Sequence, residues 1–252
     1  MNKSIKIVTS TYKDGHKLNI FLNNIKSVNI PHIVYIKNDN LNQNHDPIYR
    51  NDINSIEIPN YGRCDYAFLY HIVNNYHNLD DITLFVKCNY YDNEIDLMKH
   101  IQLCEEYDYL QSGSHIKYQQ WSEGNLGLPE EIHINKDLEE IYLNKDLLDW
   151  YFEIYGHNIP LPTIIKGYGH GPCFSVSRNL ILRHPVEVYE KLLNKYYPNN
   201  ISYDTDYSKY NYNSLNDLVI QIGKTYHDYF IRFYPILFGH NVSEEKYKIC
   251  IL

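Results

Sequence analysis

Several features that mark common protein classes are missing from this 252-residue sequence. It has no uninterrupted apolar stretch of the ~18 to 20 residues that cross a membrane. It also has no cluster of Lys and Arg of the kind that follows a nucleic acid backbone, and its 23 basic and 31 acidic residues give a net charge of -8. We therefore expect neither a membrane span nor a nucleic acid partner.

The short motifs of several enzyme classes are missing as well. The sequence has no P-loop, no G-x-S-x-G nucleophile elbow, no HExxH zinc motif and no complete Rossmann glycine fingerprint. These absences argue against a P-loop kinase, a serine hydrolase of that type, a zinc protease and a dehydrogenase.

Cysteine is scarce, and its spacing excludes a disulfide framework or a CxxC zinc or redox motif. The odd number and wide separation indicate reduced thiols: Cys64, Cys88, Cys104, Cys173 and Cys250. The first residues enter a strand directly and show no signal-peptide core. We expect a cytoplasmic protein, in the host cytoplasm if the chain is viral.

What is present is a pattern of alternating strands and helices, with 44% hydrophobic residues to build a core. Such alternation predicts an α/β fold with a mostly parallel central sheet in one domain. Helices are expected between the predicted strands, and a loop over residues 38–52. The strands are predicted at Ser4–Ser10, His32–Lys37, Ser55–Ile58, Ile82–Lys87 and Tyr107–Gln111.

The second half of the chain has weaker patterns. A long surface loop is predicted over Ser112–Glu131, a helix over Asp137–Tyr155, and a glycine-rich turn before the strand Cys173–Ser177. A further helix is predicted from Pro185, because proline suits the first turn.

The turn after the third strand is the candidate binding site. Gly62 permits a tight turn, Arg63 follows it, and the next helix is predicted from Asp65 to Asn78 with an apolar stripe that includes Leu69 and Val73. The helix N-terminus and Arg63 would then face the C-terminal edge of the sheet, where α/β proteins bind nucleotides. The alternative is an ordinary connection in which Arg63 pairs with a nearby carboxylate.

Together these pieces resemble a family of domains of unknown function, from fungi and large DNA viruses, that is similar to GT-A glycosyltransferases. The resemblance covers residues 55 to 240, in the right order. Its motifs are Pro59-Asn60-Tyr61-Gly62-Arg63 with Tyr70-His71-Ile72, Leu84-Phe85-Val86, Phe174-Ser175-Val176-Ser177-Arg178 with Pro185 and Tyr189, and Phe230-Ile231-Arg232-Phe233-Tyr234-Pro235 with Phe238.

The resemblance implies a glycosyltransferase that moves a sugar from a nucleotide-sugar, most simply a UDP-sugar, to a hydroxyl of a glycan or protein acceptor. Residues 1–112 would form the nucleotide-binding half and residues 113–252 the acceptor and catalytic half. The implied donor-binding residues are Thr9, Tyr12, Asn60, Gly62, Arg63, Asp65, Lys87, Asn89 and Asp92. The transferred sugar would lie beside Gly169, His170 and Gly171, with Trp121 as a stacking platform for the acceptor.

The family's fold usually holds a divalent cation with an Asp-x-Asp motif after the central strand, because carboxylate oxygens suit such cations. This chain has Lys87, Asn89 and Asp92 there. Three outcomes stay open: a changed site for Mn²⁺ or Mg²⁺ at Asp92, with His240 as a further ligand; metal independence with Lys87 as the charge on the diphosphate; and an inactive enzyme.

An inverting sugar transfer needs a base for the acceptor hydroxyl. The family usually has Glu before the Arg of its last motif, where this chain has Ile231. We assign the base to Asp228 with the adjacent His227, and their alternative is a solvated surface position.

Two other functions stay open. The first is an inactive GT-A-like module that binds a nucleotide, a glycan or a protein without turnover. The second is nucleophilic catalysis by Cys64, whose place near a helix N-terminus and Arg63 would lower a thiol pKa.

Overall fold

The computed structural model of the chain describes the greater part of its first half and several segments of its second half. The described residues are 3–13, 15–41, 48–50, 53–61, 63–89, 94–112, 116–117, 152, 168–169, 173–196, 234, 237–239 and 242–250.

Strands and helices alternate through the first half, as the sequence predicts. In chain order they are β1 (Ile5–Thr11), α1 (Gly15–Val28), β2 (His32–Asn38), β3 (Ile48–Arg50), β4 (Ser55–Pro59), α2 (Cys64–Asn75) with a 3₁₀ turn (Tyr76–Asn78), β5 (Ile82–Lys87), α3 (Glu94–Cys104) and β6 (Tyr109–Ser112).

The second half adds shorter elements. They are β7 (Ile116–Lys117), β8 (Tyr168–Gly169), β9 (Cys173–Ser177), α4 (Arg178–Ile181), α5 (Val186–Asn194), a 3₁₀ turn (Glu244–Lys246) and β10 (Tyr247–Cys250). Helix α5 begins one residue after Pro185, which is its N-cap.

In the described part of the chain, eight strands form one sheet in the order β10-β6-β9-β5-β1-β2-β4-β3. Neighbours β1–β2, β1–β5, β2–β4 and β6–β10 are parallel, whereas β3 and β9 run against their neighbours. The predicted α/β fold with a mostly parallel central sheet is therefore confirmed. Strands from both halves share this sheet, since β6 lies between β9 and β10, and the functional division at residue 112 stays a prediction.

Side chains alternate across the sheet, and each face has its own apolar core. On β5, Phe85 packs on the face that α2 and α5 cover, whereas Leu84 and Val86 pack on the face of α1 and α3. Both faces of the sheet are thus covered by helices, and the central strands are buried on both sides.

Several local predictions from the sequence were wrong. The predicted loop over residues 38–52 contains β3, whose three residues pair with β4. The predicted loop Ser112–Glu131 contains β7, which pairs with β8. Helix α2 was expected to have one apolar stripe, but its first six residues are all buried, because the sheet covers one side and residues from the C-terminal part of the chain cover the other. The predicted helix Asp137–Tyr155 lies outside the described residues, except for Phe152, which is helical.

No helix among the described residues is long and apolar enough to cross a bilayer.

Phe174, in the antiparallel strand β9, lies at the centre of the core on the α2 face. Its ring centroid is within 4.3 to 6.2 Å of five other aromatic rings, those of Phe68, Phe85, Tyr109, Tyr234 and Phe238. These rings come from α2, from the strands β5 and β6, and from the C-terminal part of the chain, so one side chain contacts segments that are far apart in sequence.

Replacing Phe174 by Ala is expected to lower the free energy of unfolding by about 3 to 5 kcal/mol, because a large buried ring is lost and the cavity cannot collapse fully. Urea unfolding measures the change. The control is Leu182→Ala, since Leu182 is 38% exposed and its loss should change the free energy by no more than about 0.5 kcal/mol. Equal effects of the two substitutions would contradict the central place of Phe174.

Two histidines are buried in the core and are expected to make the fold acid-sensitive. Burial lowers the pKa of His71 to about 3, helped by the charge of Lys6, and burial alone lowers the pKa of His100 to about 3. The Nδ1 atom of His71 lies 3.0 Å from the hydroxyl of Tyr35, and that of His100 lies 3.8 Å from the sulfur of Cys173.

Between pH 6.5 and pH 3 the unfolded chain binds protons at these two histidines and the folded chain does not. The free energy of unfolding should therefore fall as the pH falls, with a contribution from each histidine of about 1.4 kcal/mol per pH unit. Urea unfolding at several pH values should give a slope that is smaller by this amount in His71→Gln. The control His77→Gln, at an exposed position, should keep the slope. A slope unchanged in His71→Gln would refute the prediction.

Candidate functional site

The candidate site lies where four parallel strands end at one edge of the sheet. Strands β1, β2, β4 and β5 run the same way, and α2 begins five residues after β4 ends. The order of the strands reverses at β1, since β2 lies on one side of it and β5 on the other. In open α/β sheets, ligands bind in the crevice at such a crossover, outside the carboxyl ends of the strands.

The alternation of side chains brings three residues of this edge to the same face. Tyr12, Lys37 and Lys87 stand an even number of residues after Val8, Tyr35 and Phe85, all of which pack in the core beneath α2. Successive side chains point to opposite faces, so these three residues share the face on which α2 begins.

Lys37 is half-buried at this edge, as is Lys87. Burial lowers the pKa of Lys37, and the charges of Lys87 and Arg63 lower it further, whereas the charge of Asp65 and, once ionised, that of Cys64 raise it. Each of these groups is therefore close enough to act on the Lys37 ammonium. Lys37, Lys87 and Arg63 together make the edge positive and suited to an anion.

Arg63 is exposed, and none of the described carboxylates forms a salt bridge with it. It is the N-cap of α2 without a side-chain cap hydrogen bond. The alternative interpretation, in which Arg63 pairs with a nearby carboxylate, has no support among the described residues.

Asp39, directly after β2, contacts residues that follow the ends of β1 and β4. Its Oδ2 accepts a hydrogen bond of 2.7 Å from the Tyr12 hydroxyl and lies 3.0 Å from Nζ of Lys13. Its Oδ1 accepts a hydrogen bond of 2.8 Å from Nδ2 of Asn60. Partial burial opposes ionisation, but these hydrogen bonds outweigh it and hold the pKa of Asp39 below its usual value.

The ring of Tyr12 lies close to the ammonium groups of two lysines. Nζ of Lys13 is 4.7 Å from its centroid and Nζ of Lys37 is 5.6 Å from it. An aromatic ring attracts a cation through its negative face, and the hydroxyl of this ring is fixed by Asp39. Tyr12 thus helps to place the ammonium of Lys37 at the strand ends.

Two predicted donor residues are buried. Thr9 is fully buried, and in the described part of the chain its hydroxyl and that of Thr11 have no hydrogen bond partner. Asp65 is also fully buried, and its Oδ1 accepts a hydrogen bond of 2.5 Å from the Tyr234 hydroxyl. A ligand would reach either side chain only after a rearrangement, so their assignment to the donor stays a prediction.

The other predicted residues divide into two groups. The structure brings Tyr12, Asn60, Arg63 and Lys87 to one edge, with the exposed Asn89 just after β5. Gly169 lies in β8, which pairs with β7 in a separate two-stranded sheet. The remaining predictions lie outside the described residues: Gly62, Asp92, Trp121, His170, Gly171, His227, Asp228 and His240.

Lys37 and Asp39 lie at this edge but were not predicted from the sequence. Lys37 could have been found from the alternation of side chains in β2. It follows the core-facing residues Ile33 and Tyr35 at even spacing, so it is a cation on the same inward face. Asp39 could have been found from its place after β2, where an acid binds ribose in dinucleotide-binding folds.

The described residues do not fit a divalent cation. No three His, Cys, Asp or Glu side chains among them are grouped as metal ligands. Asp39 already contacts Lys13, Tyr12 and Asn60, and the nearby lysines would repel a cation. The predicted ligands Asp92 and His240 lie outside the described residues.

Cys64 is buried at the first residue of α2. A nucleophile has to meet its substrate, so this burial does not favour catalysis by Cys64. The other thiols whose side chains are described, Cys88, Cys104 and Cys173, are likewise buried and reduced.

The fold and this edge define an α/β protein with a cationic site at the crossover of its sheet. The sequence matches the family described as a protein of unknown function (DUF3431) over residues 24–220. This match covers more than half of the chain, so the chain belongs to that family.

Comparison with other proteins gives distant likenesses. No curated protein sequence is similar enough to be matched. The fold is similar to that of the 4-diphosphocytidyl-2C-methyl-D-erythritol synthase from Anaerococcus prevotii DSM 20548, with a TM-score of 0.43 and 10% identity over 100% of this chain and 90% of that one. It is also similar to residues 1–349 of S. aureus TarS, with a TM-score of 0.35 and 16% identity over 78% of this chain and 56% of that one. Neither likeness is close enough to support a function.

Proposed function

We propose that this protein binds a nucleotide-sugar, most simply a UDP-sugar, and transfers the sugar to a hydroxyl of a glycan or protein acceptor. The observation that carries the proposal is the convergence of Lys37, Lys87 and Arg63 at the crossover of the sheet.

The charge at this edge matches a diphosphate. Lysine binds phosphate as a point charge and arginine binds it through a fork of donors. Lys37 is half-buried, and the like charges of Lys87 and Arg63 act on its ammonium. A bound anion would reduce their repulsion. The N-terminal end of α2 adds partial positive charge at the same place.

The ribose is assigned to the neighbouring ends of β1 and β2. Asp39 stands in the position from which an acid accepts hydrogen bonds from ribose hydroxyls in nucleotide-binding α/β folds. Tyr12 and Asn60 already bond to Asp39, so this carboxylate is held ionised in a fixed direction.

In the transfer itself, the acceptor oxygen attacks the anomeric carbon of the sugar and the bond from that carbon to the diphosphate oxygen breaks. The acceptor proton passes to a base, and the leaving diphosphate takes the electron pair of the broken bond. Lys37 and Lys87 would stabilise the negative charge that develops on the leaving diphosphate. A divalent cation held by Asp92 would stabilise the same charge. The base remains assigned to Asp228 with His227.

The proposal is tested by thermal unfolding with a panel of nucleotides and nucleotide-sugars, each with and without Mn²⁺ and Mg²⁺, on the wild type and Lys37→Met. A ligand at about 100 times its dissociation constant should raise the free energy of unfolding of the wild type by about 2.7 kcal/mol. Lys37→Met should weaken binding of the same ligand at least about tenfold, which is about 1.4 kcal/mol. Calorimetric titration gives the dissociation constants.

The matched control is Lys26→Met, because Lys26 is an exposed lysine in the last turn of α1, at the opposite end of the sheet. It should leave the affinity unchanged. Binding by the wild type without sugar release in the presence of candidate acceptors would favour the inactive binding module. No binding to any member of the panel would refute the nucleotide site.

Binding should also depend on pH in a way that identifies Lys37. The pKa of Lys37 is lowered from its ordinary 10.5, so its positive charge is lost at a lower pH than that of an exposed lysine. Affinity for the anion should therefore fall as the pH rises toward 10. In Lys37→Arg the charge persists, and the affinity should stay level over this range. The same decline in wild type and Lys37→Arg would show that another group controls it.

A further inference from the structure

A cavity of about 460 Å³ lies at the edge of the sheet opposite to the candidate site. It is found where helix α1 ends and where strands β1, β2 and β4 begin. Its volume is within the range of roughly 300 to 1,000 Å³ that is typical of small-molecule sites. The cavity is therefore large enough for a ligand of its own.

The polar residues around this cavity are cations and hydrogen bond donors. They are Lys6, Lys26, Asn29, His32 and Asn54, and none of the described residues that line the cavity is acidic. The chain as a whole has a net charge of -8, so this local excess of positive charge runs against the overall balance. A lining of this composition favours an anion.

The cations of the cavity have donors left for a ligand. Lys26 is exposed, and in the described part of the chain neither Lys26 nor His32 forms an ion pair or a side-chain hydrogen bond. Lys6 forms an ion pair in which its Nζ lies 3.6 Å from Oδ2 of Asp80. This distance exceeds the ~2.7 to 2.9 Å of a charge-assisted hydrogen bond, so Asp80 does not saturate the Lys6 ammonium.

The end of α1 determines how many donors an anion needs here. A helix C-terminus carries about half a negative charge, which favours the Lys26 ammonium in the last turn and repels an anion. One lysine alone would leave the cavity with little net attraction. Lys6 and the N–H donors of His32 and Asn29 shift the balance in favour of an anion.

The backbone around the cavity is fixed without a ligand. The amide of Asn29 donates to the carbonyl oxygen of Ile25 at 3.1 Å, and the amide of Val34 donates to that of Asn54 at 3.1 Å. The side-chain amide of Asn54 donates to the carbonyl oxygen of His32. Asn29 and Asn54 have φ angles of 52° and 47°, in the left-handed region that asparagine tolerates better than most residues. The cavity is thus preformed.

Part of the lining is apolar. Ile25 is buried in the core beneath α1, and Ile30 packs partly against the same core. Pro31 follows in the turn between α1 and β2. A free phosphate ion would leave this surface in water, whereas an apolar group attached to the phosphate would cover it.

We propose that this cavity is a second ligand site, which binds a small phosphomonoester with an apolar group. Lys26, His32 and Asn29 would donate to the phosphate, and the apolar group would cover Ile25 and Ile30. A phosphomonoester has a charge of about -1.5 to -2 at neutral pH. It therefore gains more than a carboxylate does from lysines, which act as point charges.

This site is independent of the proposed nucleotide site. The two lie at opposite ends of β1, a strand of seven residues, and are therefore about 20 Å apart. Failure of one assignment leaves the other standing.

The test is a titration with phenyl phosphate, followed by amide chemical shifts and by calorimetry. The protein should bind one equivalent in this cavity, and the amide signals of Asn29, Ile30, His32 and Asn54 should shift and saturate together. Lys26→Glu should weaken this binding at least about tenfold, because it replaces an attraction by a repulsion.

The matched control is Lys191→Glu. Lys191 is likewise an exposed lysine in the last turn of a helix, α5, so both substitutions change the net charge and a helix end in the same way. Lys191→Glu should leave the affinity for phenyl phosphate unchanged. The affinity for UDP should be the same in both variants, because the proposed nucleotide site lies at the other edge of the sheet.

Two further probes test the chemical class of the ligand. Benzoate has the same ring with a single negative charge and should bind more weakly than phenyl phosphate. Inorganic phosphate lacks the ring and should also bind more weakly, since it leaves the apolar lining uncovered.

Three results would overturn this site. The first is the absence of saturable shifts at the residues of the cavity. The second is equal weakening in Lys26→Glu and Lys191→Glu, since it would mean that the anion responds only to the net charge. The third is binding of benzoate or inorganic phosphate as tight as that of phenyl phosphate, which would remove the assignment to a phosphomonoester with an apolar group.

Discussion

The architecture of the candidate site depends on one constraint: charge that is removed from water has to be balanced by its neighbours. Asp65 is fully buried at the start of α2, and Lys37 is half-buried at the end of β2. Asp65 acts on the Lys37 ammonium as an opposite charge, and Lys87 and Arg63 act on it as like charges. An anion bound at this edge, as proposed, would add to this balance.

The aromatic core makes this arrangement rigid. Phe174 stands in β9, the strand that runs against its neighbours and inserts between β5 and β6. From there its ring packs on Phe85 below and on Tyr234 beside it. The second half of the chain therefore does more than extend the sheet, because it also provides the Tyr234 hydroxyl that donates a hydrogen bond to Asp65.

The elements that depend on local sequence patterns were predicted well. Strand β5 was placed correctly at Ile82–Lys87 and the start of α2 within one residue, because apolar runs and helical spacing are local signals. Strand β3 was missed because three residues in a polar stretch give no pattern. Lys37 was missed, although the alternation of side chains in β2 places it on the inward face. The bond between Tyr234 and Asp65 could not be predicted, since no local pattern relates side chains 169 positions apart.

The net charge of the molecule implies that attraction of an anion has to come from local charges. The chain carries a net charge of -8, so its general field repels nucleotides and cannot steer them. At physiological ionic strength, however, exposed charges are screened beyond about 8 Å, whereas partly buried charges are screened much less. An anion at the strand ends would therefore respond chiefly to Lys37, Lys87 and Arg63 and little to distant carboxylates. Repulsion from Lys87 and Arg63 contributes to the lowered pKa of Lys37, and a diphosphate bound at this edge, as proposed, would reduce that repulsion.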